Sequence, residues 1–212
     1  ARDLRSIGEL HQELGDDEQA AQALSEAAAI DRPTAEDPES RYTDNLVLLA
    51  YSLSGLRRHD DAVRAAEEAV EIRARTLGEQ DTDLAEALLA LGRALRDAER
   101  LEEALAALRR AEAIDRLSPE AEDGALGGTL NAVGIVLMKL ERFDEAHAAF
   151  EESFRSLLEA DLEDDERLIE AAVVLKRLKG DPVAIARATA GDEFAEDLAE
   201  AMEDYEADQD ED

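Results

Sequence analysis

Hydrophobic and polar positions over residues 1–160 follow one pattern that returns at a fixed interval. An Ala follows a short charged turn at Ala20, Ala62, Ala104 and Ala146, which are equally spaced at 42 positions. Two large apolar residues and a small one precede each of these Ala residues by 16, 13 and 12 positions, and apolar or small residues follow it by four and seven. These spacings place apolar side chains on one face of a helix, so each interval predicts two helices packed through apolar stripes.

A fixed period of this length is typical of a stacked repeat array. The first unit resembles the tetratricopeptide repeat family, and the stretch AVEIRARTLGEQDTDLAEALLALGRAL resembles its 42-residue variant, known from kinesin light chains and many bacterial regulators. At the family's aromatic turn position, the chain has Asp17, His59 and Leu101, and then Phe143. The resemblance implies an all-α, right-handed superhelical solenoid of antiparallel helix pairs. The first-unit residues that carry it are Leu4, Ile7, Gly8, Gly15, Ala20, Leu24, Ala27 and Pro33.

The period also predicts the layout of the chain. We expect four repeats over 1–164, a capping pair of helices over 165–206 and an acidic, disordered tail over 207–212. The individual repeats are predicted at 1–42, 43–84, 85–126 and 127–164. A cap is expected because a solenoid must end in a more polar outer face. The same reasoning applies to the first repeat, whose outer apolar face should be covered by further repeats or by a second chain.

Charge and composition narrow the range of partners. The chain has 55 acidic and 23 basic residues, for a net charge of −32, so we expect neither nucleic acid nor an anionic membrane as a partner. The aromatic content is 3%, which favours a core of Ala and Leu. There is no Cys and no uncharged run of about 18 residues, so a cytoplasmic location is the default expectation. Heavy Asp and Glu with scarce Lys is typical of salt-loving organisms or of GC-rich bacterial genomes. Because the chain begins with Ala, it is compatible with a fragment or a processed product.

The residues that could carry chemistry form no recognisable catalytic or metal-binding motif. We expect His11 to face the core, His59 to lie in a turn and His147 to lie on an exposed helix face. The glycine-rich segment 124–129 is interpreted as a linker, because it lacks the strand and the Lys of a phosphate-binding loop. The acidic clusters at 161–166 and 208–212 lack the glycine-centred loop of a calcium site. We therefore predict no enzymatic activity, no cofactor and no metal site.

The repeats themselves create the surface with functional potential. In the family that this chain resembles, first helices line a concave groove, and the matching positions here are close to neutral in charge. Arg93 and Arg96 could contact a peptide in this groove. The alternative is that Arg93 pairs with Asp97 and Arg96 with Glu99 along their own helix. A chaperone-type carboxylate clamp is disfavoured, because only Arg5 among five matching positions fits it. The predicted peptide-binding groove residues are Arg5, Val47, Tyr51, Leu89, Arg93, Arg96, Asn131 and Met138, with Ile135 as part of the apolar floor.

These observations predict a non-enzymatic scaffold or adaptor that binds a peptide or protein segment in the groove. The alternative function is a regulatory sensor domain of a larger bacterial signalling or transcription protein. A fused DNA-binding or nucleotide-binding domain in the full-length gene would favour that alternative.

Overall fold

The computed structural model describes residues 2–32, 41–118, 124–159, 166–178 and 180–189, with short pieces at 195–196, 198–199 and 201–202. The described residues form α-helices and no strand, which confirms the all-α class. Several features named above lie outside the described residues. These are the predicted tail, both acidic clusters apart from Glu166, and Pro33. The helices are α1 (Arg2–Glu13), α2 (Asp17–Ile30), α3 (Tyr42–Gly55), α4 (His59–Thr76), α5 (Thr82–Asp97), α6 (Leu101–Asp115), α7 (Ala125–Lys139), α8 (Phe143–Glu159), α9 (Glu166–Arg177) and α10 (Pro182–Thr189).

The chain divides into two compact units, unit 1 at Ala1–Ser118 and unit 2 at Pro119–Asp212. In unit 1 each of the helices α1 to α6 packs on the next, and α3 also contacts α1 and α5. The odd-numbered helices are the first helices of successive repeats, so first helices are neighbours in unit 1. This is the helical repeat solenoid that the period predicted. The boundaries of the individual repeats stay a prediction.

The first helices α1, α3, α5 and α7 all end in the same backbone motif. Gly15, Arg57, Glu99 and Glu141 share one position of the repeat, and their φ angles lie between 57° and 71°. In each case the following amide donates to the main-chain oxygen five residues back, as Arg58 N does to Leu53 O at 2.8 Å. This is the Schellman motif, which satisfies the last carbonyls of a helix and reverses the chain. The predicted short turns are therefore helix-ending motifs that direct the second helix back along the first.

The N-termini of the second helices repeat as well. Arg58, Arg100 and Arg142 each donate to a carboxylate three residues later, at distances of 2.6 to 2.9 Å. In the first repeat the acceptor comes first in the sequence. Asp16 accepts from the main-chain and side-chain nitrogens of Gln19, three residues later. The acidic side chains in these first turns also suit the positive end of the helix dipole. The charged turns are thus local helix-starting structures.

Unit 2 contains α7 to α10, and α8 packs against the other three. Our prediction of a linker at 124–129 was wrong, because only Gly124 precedes α7 and the rest belongs to its first turns. A Cβ at Gly127 would lie 2.6 Å from Leu157 Cγ, and the Ser153 hydroxyl donates to the Gly127 carbonyl at 2.7 Å. The glycine there permits α7 and α8 to approach closely. Sequence patterns indicate a loop in this segment because glycine lowers helix propensity.

One edge of unit 1 exposes apolar side chains. Ile7 and Leu10 of α1 and Leu14, which directly follows the helix, are 45%, 53% and 70% exposed, respectively. The positions that correspond to Leu10 in α3 and α5 are Ser52 and Ala94, and both are buried. The α1 face that carries Leu10 therefore corresponds to a face that is covered in the later repeats. What covers it in α1 stays a prediction.

Two aromatic side chains at positions singled out in the sequence are partly or largely exposed. Phe143, the residue at the family's aromatic turn position, is 51% exposed, so it does not fill a core site between the helices. His11 is partly exposed, although its Nδ1 atom is buried and lies 3.7 Å from an Asp16 carboxylate oxygen.

Candidate functional site

The candidate site lies on the first helices of unit 1, on the side that we call the α1/α3/α5 face. Its centre is a contact between two helices: Cζ of Arg93 on α5 lies 5.7 Å from the ring centroid of Tyr51 on α3. This is within the range of a cation–π interaction. Both side chains are partly exposed, and so is Leu89, which lies one turn before Arg93 on α5. The structure therefore brings three of the predicted groove residues into one region.

Arg93 carries no carboxylate within 4.0 Å among the described residues, although the chain is strongly acidic. Arg96, one turn further along α5, pairs with Asp97 at 2.8 Å. The alternative pairing of Arg93 with Asp97 is thus not formed, because Asp97 binds Arg96. Among the described residues, the Arg93 guanidinium thus has the Tyr51 ring beside it and no carboxylate within 4.0 Å.

The remaining charges of the face belong to one network. Arg5 on α1 donates to Glu9 at 2.8 Å and to Asp44 on α3 at 2.5 Å. The second oxygen of Asp44 accepts from Arg73 at 2.7 Å, and Arg73 also donates to Glu86 on α5 at 2.8 Å. The predicted groove cations are therefore not equivalent binding groups, because Arg5 is already engaged by two carboxylates.

Arg73 is the functional candidate that the sequence reasoning missed. It lies on the second helix α4, and its side chain is only 3% exposed. It also donates to the Thr43 hydroxyl at 3.3 Å and to the main-chain oxygen of Asp83. A signal was present, because the residues at the equivalent position of the preceding and following repeats are acidic, Asp31 and Asp115. The predicted groove positions all lie on first helices, whereas Arg73 lies on the second helix α4.

The other predicted groove residues are placed differently. Val47 is 1% exposed, so its side chain is part of the core and not of an accessible surface. Asn131 and Met138 belong to α7 in unit 2, where Asn131 is 4% exposed and Met138 partly exposed. The face in unit 1 is therefore described by Tyr51, Leu89, Arg93 and Arg96, with the charge network along its side.

The environment of Tyr51 also affects its ionisation. Burial is the largest cause and raises the pKa of the Tyr51 phenol. The positive charge of Arg93 opposes this rise in pKa, Glu86 adds to it, and Arg73 opposes it. The phenol consequently stays protonated at neutral pH and can donate a hydrogen bond as well as present its ring.

Metal-binding and membrane-spanning features are absent from the described residues. Over the described ranges, there is no group of three or more His, Asp or Glu side chains placed to hold a metal ion. None of the helices in that part of the chain has the length and apolarity that crossing a bilayer demands. The α1/α3/α5 face is the feature with the clearest binding chemistry.

A stack of helix pairs with a partly apolar, partly charged first-helix face defines a helical repeat scaffold. Residues 43–116 match the family profile described as tetratricopeptide repeat, which confirms the predicted resemblance over that segment. No curated protein sequence matches the chain significantly.

Solved structures of similar fold extend over nearly the whole chain. Kinesin-light-chain-type, nearly identical TPR-like repeats from Podosopora anserina align with a TM-score of 0.70 and 18% identity, covering 100% of this chain and 96% of that one. BtubC (BKLC) from P. vanneervenii aligns with a TM-score of 0.67 and 19% identity, covering 98% of this chain and 80% of that one. A Rap protein complexed with competence and sporulation factor aligns at 0.66 and 17% identity, covering 98% of this chain and 64% of that one. At these identities the likeness establishes the fold.

Proposed function

We propose that this protein is a non-enzymatic interaction module that binds a peptide or protein segment across the α1/α3/α5 face of unit 1. The observation that carries the proposal is the Arg93 guanidinium, held over the Tyr51 ring without a carboxylate neighbour among the described residues. In a chain with a net charge of −32, a surface cation left without an acidic partner is the group most available to an external one.

The chemistry of the face indicates what it binds. A guanidinium can hold a carboxylate through two parallel hydrogen bonds, and Tyr and Arg are favoured anchor residues at interfaces. Leu89 offers an apolar contact beside Arg93. The expected ligand is therefore a segment that presents a carboxylate next to an apolar side chain. Helical repeat scaffolds of this kind use such extended faces for protein partners.

The proposal is tested with the double variant Tyr51→Ala/Arg93→Ala. Proteins captured from an extract of the source organism by the unaltered chain would be identified, purified and titrated against both forms. The double variant should weaken binding by about a hundredfold, since two interface anchors are removed. The matched control is Arg75→Ala, which removes an exposed Arg from α4. Equal affinity of the double variant and the unaltered chain, with helicity intact by circular dichroism, would overturn the proposal.

A second candidate function is a regulatory sensor domain of a larger bacterial protein. The likeness to the Rap protein that was solved with competence and sporulation factor supports it, and this chain covers 64% of that protein. The full-length gene separates the two candidates: a fused DNA-binding or nucleotide-binding domain would support the sensor, and a gene that encodes repeats alone would contradict it.

The exposed apolar side chains of Ile7, Leu10 and Leu14, in and directly after α1, support the expectation of self-association or of further repeats at this edge. Light scattering of the isolated chain distinguishes these, because only self-association produces a mass above that of the monomer. We further propose a cytoplasmic location, which the acidic composition and the lack of Cys support.

A further inference from the structure

Arg73 brings a charge from a second helix to a face built by first helices. Its side chain is 3% exposed, yet its guanidinium contacts carboxylates of both α3 and α5. A guanidinium stays protonated in proteins even when it is buried. The charge of Arg73 is therefore a permanent part of the electrostatics of the face, although the side chain itself cannot contact a partner.

The two carboxylates that Arg73 contacts differ in their other partners. Asp44 also binds Arg5, through its second oxygen, at 2.5 Å. Glu86 has one ion pair within the described residues, the contact with Arg73 at 2.8 Å. The Glu86 side chain is 56% exposed, and its charge also acts on the Tyr51 phenol. Without Arg73, Glu86 would be an unneutralised anion beside the Tyr51–Arg93 contact.

The local charge depends on this one residue. Glu9, Asp44 and Glu86 contribute three negative charges to the face, and Arg5 and Arg93 contribute two positive ones. Arg73 supplies the third positive charge and makes the total neutral. Glu9, Asp44 and Glu86 each have a guanidinium partner, whereas Arg93 has no carboxylate within 4.0 Å among the described residues. Charges separated by less than about 10 Å act on each other even at moderate salt.

We propose that Arg73 determines the charge preference of the α1/α3/α5 face by offsetting the charge of Asp44 and Glu86, so that a carboxylate-bearing partner meets Arg93 on a neutral face instead of a negatively charged one. The proposal rests on the proposed function of this face. Arg73 is a specificity-determining residue that acts through other side chains, and not a contact residue. The Asp residues at the corresponding positions of the neighbouring repeats, Asp31 and Asp115, could not supply this charge.

The charge of the face can be measured without a known partner. Tyr51 serves as the fluorescent reporter in a Tyr42→Phe/Tyr205→Phe background, since the chain has three Tyr and no Trp. Quenching by iodide, an anion, is compared with quenching by neutral acrylamide. The added variants are Arg73→Met, which removes the charge, and Arg73→Lys, which keeps it, with Arg75→Met as a control on the exposed part of the same helix.

Arg73→Met should lower the ratio of iodide to acrylamide quenching by about twofold, because an anion is then repelled from Tyr51. Arg73→Lys and Arg75→Met should leave the ratio close to that of the background. An unchanged ratio in Arg73→Met would overturn the proposal. If Arg73→Met fails to fold, Asp44→Asn/Glu86→Gln provides the reverse test, since it keeps Arg73 and removes both anions. The ratio should then rise, and a ratio that does not rise contradicts the proposal.

A second arm uses an array of short peptides in pairs that differ by Glu or Gln at one position. The unaltered chain should bind the Glu member of a pair more tightly than the Gln member. In Arg73→Met the ratio of these two affinities should fall by roughly tenfold. A Glu preference that persists in Arg73→Met overturns the role of Arg73. Absence of binding by the unaltered chain counts against the proposed function, whereas the quenching result still decides the charge of the face.

Discussion

The ring of Phe150 lies against the backbone of Gly134. A Cβ added to Gly134 would lie 2.8 Å from both Cε2 and Cζ of Phe150, which is closer than van der Waals contact permits. The same relation, with the same separation in sequence, joins Gly8 to Leu24. In the α3/α4 pair, the corresponding position is Ala50, and its counterpart on α4 is Ala66 instead of a large side chain. A glycine on a first helix is therefore matched by a large side chain on the second helix, and Ala50 by an Ala, as close packing demands.

The first prediction concerns the contact between Gly134 and Phe150. Gly134→Ala should destabilise the chain by about 1–2 kcal/mol, because overpacking against a buried ring exceeds the gain of roughly 1 kcal/mol in helix propensity. The measurement is the free energy of unfolding by chemical denaturation. The double variant Gly134→Ala/Phe150→Leu should lose less than the sum of its single variants, since the smaller side chain relieves the clash. Simple additivity would contradict a direct contact.

A second prediction tests the register of the repeats at Ala146, which is completely buried. Ala146→Leu should cost about 1–3 kcal/mol of stability, because the extra methyl groups have no space between α7 and α8. Ala148→Leu is the matched control, as Ala148 lies two residues away on the exposed side of the same helix. Equal unfolding midpoints for the two variants would show that the register is wrong.

The Schellman turns give a prediction of the opposite sign. Arg57 holds a φ of 58°, a left-handed conformation that costs L-residues roughly 1–2 kcal/mol. Arg57→Gly should therefore raise the stability by about 0.5–1 kcal/mol, after allowance for the larger entropy of glycine in the unfolded chain. In contrast, Glu102→Gly within α6 should lower it, because that residue is helical. A lower unfolding midpoint for Arg57→Gly would contradict the strain assigned to this turn.

The fourth prediction is a pH dependence from Tyr51. Its pKa in the folded chain is raised above the ordinary value, chiefly by burial, so the folded state holds the phenolic proton more tightly than the unfolded state does. The corresponding stability is fully present below about pH 10, the ordinary tyrosine pKa, and is lost as the pH rises through the folded pKa.

Tyr51→Phe has no proton to lose, so its stability should fall less steeply above about pH 10 than that of the unaltered chain. Chemical denaturation at a series of alkaline pH values provides the measurement. Identical slopes for the two chains would show that Tyr51 ionises normally in the folded state. At neutral pH the comparison of the same two chains reports the loss of the hydroxyl group alone.

Much of the fold could be predicted because its rules are local and periodic. The spacing of Ala20, Ala62, Ala104 and Ala146 predicted the helix pairs, and all four are completely buried. The exception at 124–129 shows the limit of local rules: glycine has a low helix propensity, but close packing of Gly127 on Leu157 favours the helix. Such a packing gain depends on a residue from a different helix, far away in the sequence.

The site was predictable only in part. The register placed Tyr51 and Arg93 on first helices, and the structure brings them into contact. It also included Val47, which is buried, since groove and core positions adjoin on a helix. The register could not assign ion pairs, because the partner of Arg93 or Arg96 depends on side-chain geometry across several helices.

By itself, the sequence determined the all-α class and the helix pairing, because a fixed repeat period and helical spacing specify which faces must be buried. The tertiary structure alone decided which charges remain available. Arg73 extends from α4 to Asp44 and Glu86, so a residue outside the first helices controls the charge beside Arg93. The physical reason is that electrostatic interaction depends on distance in space, and residues 29 and 13 positions apart in sequence become ion pairs only after folding.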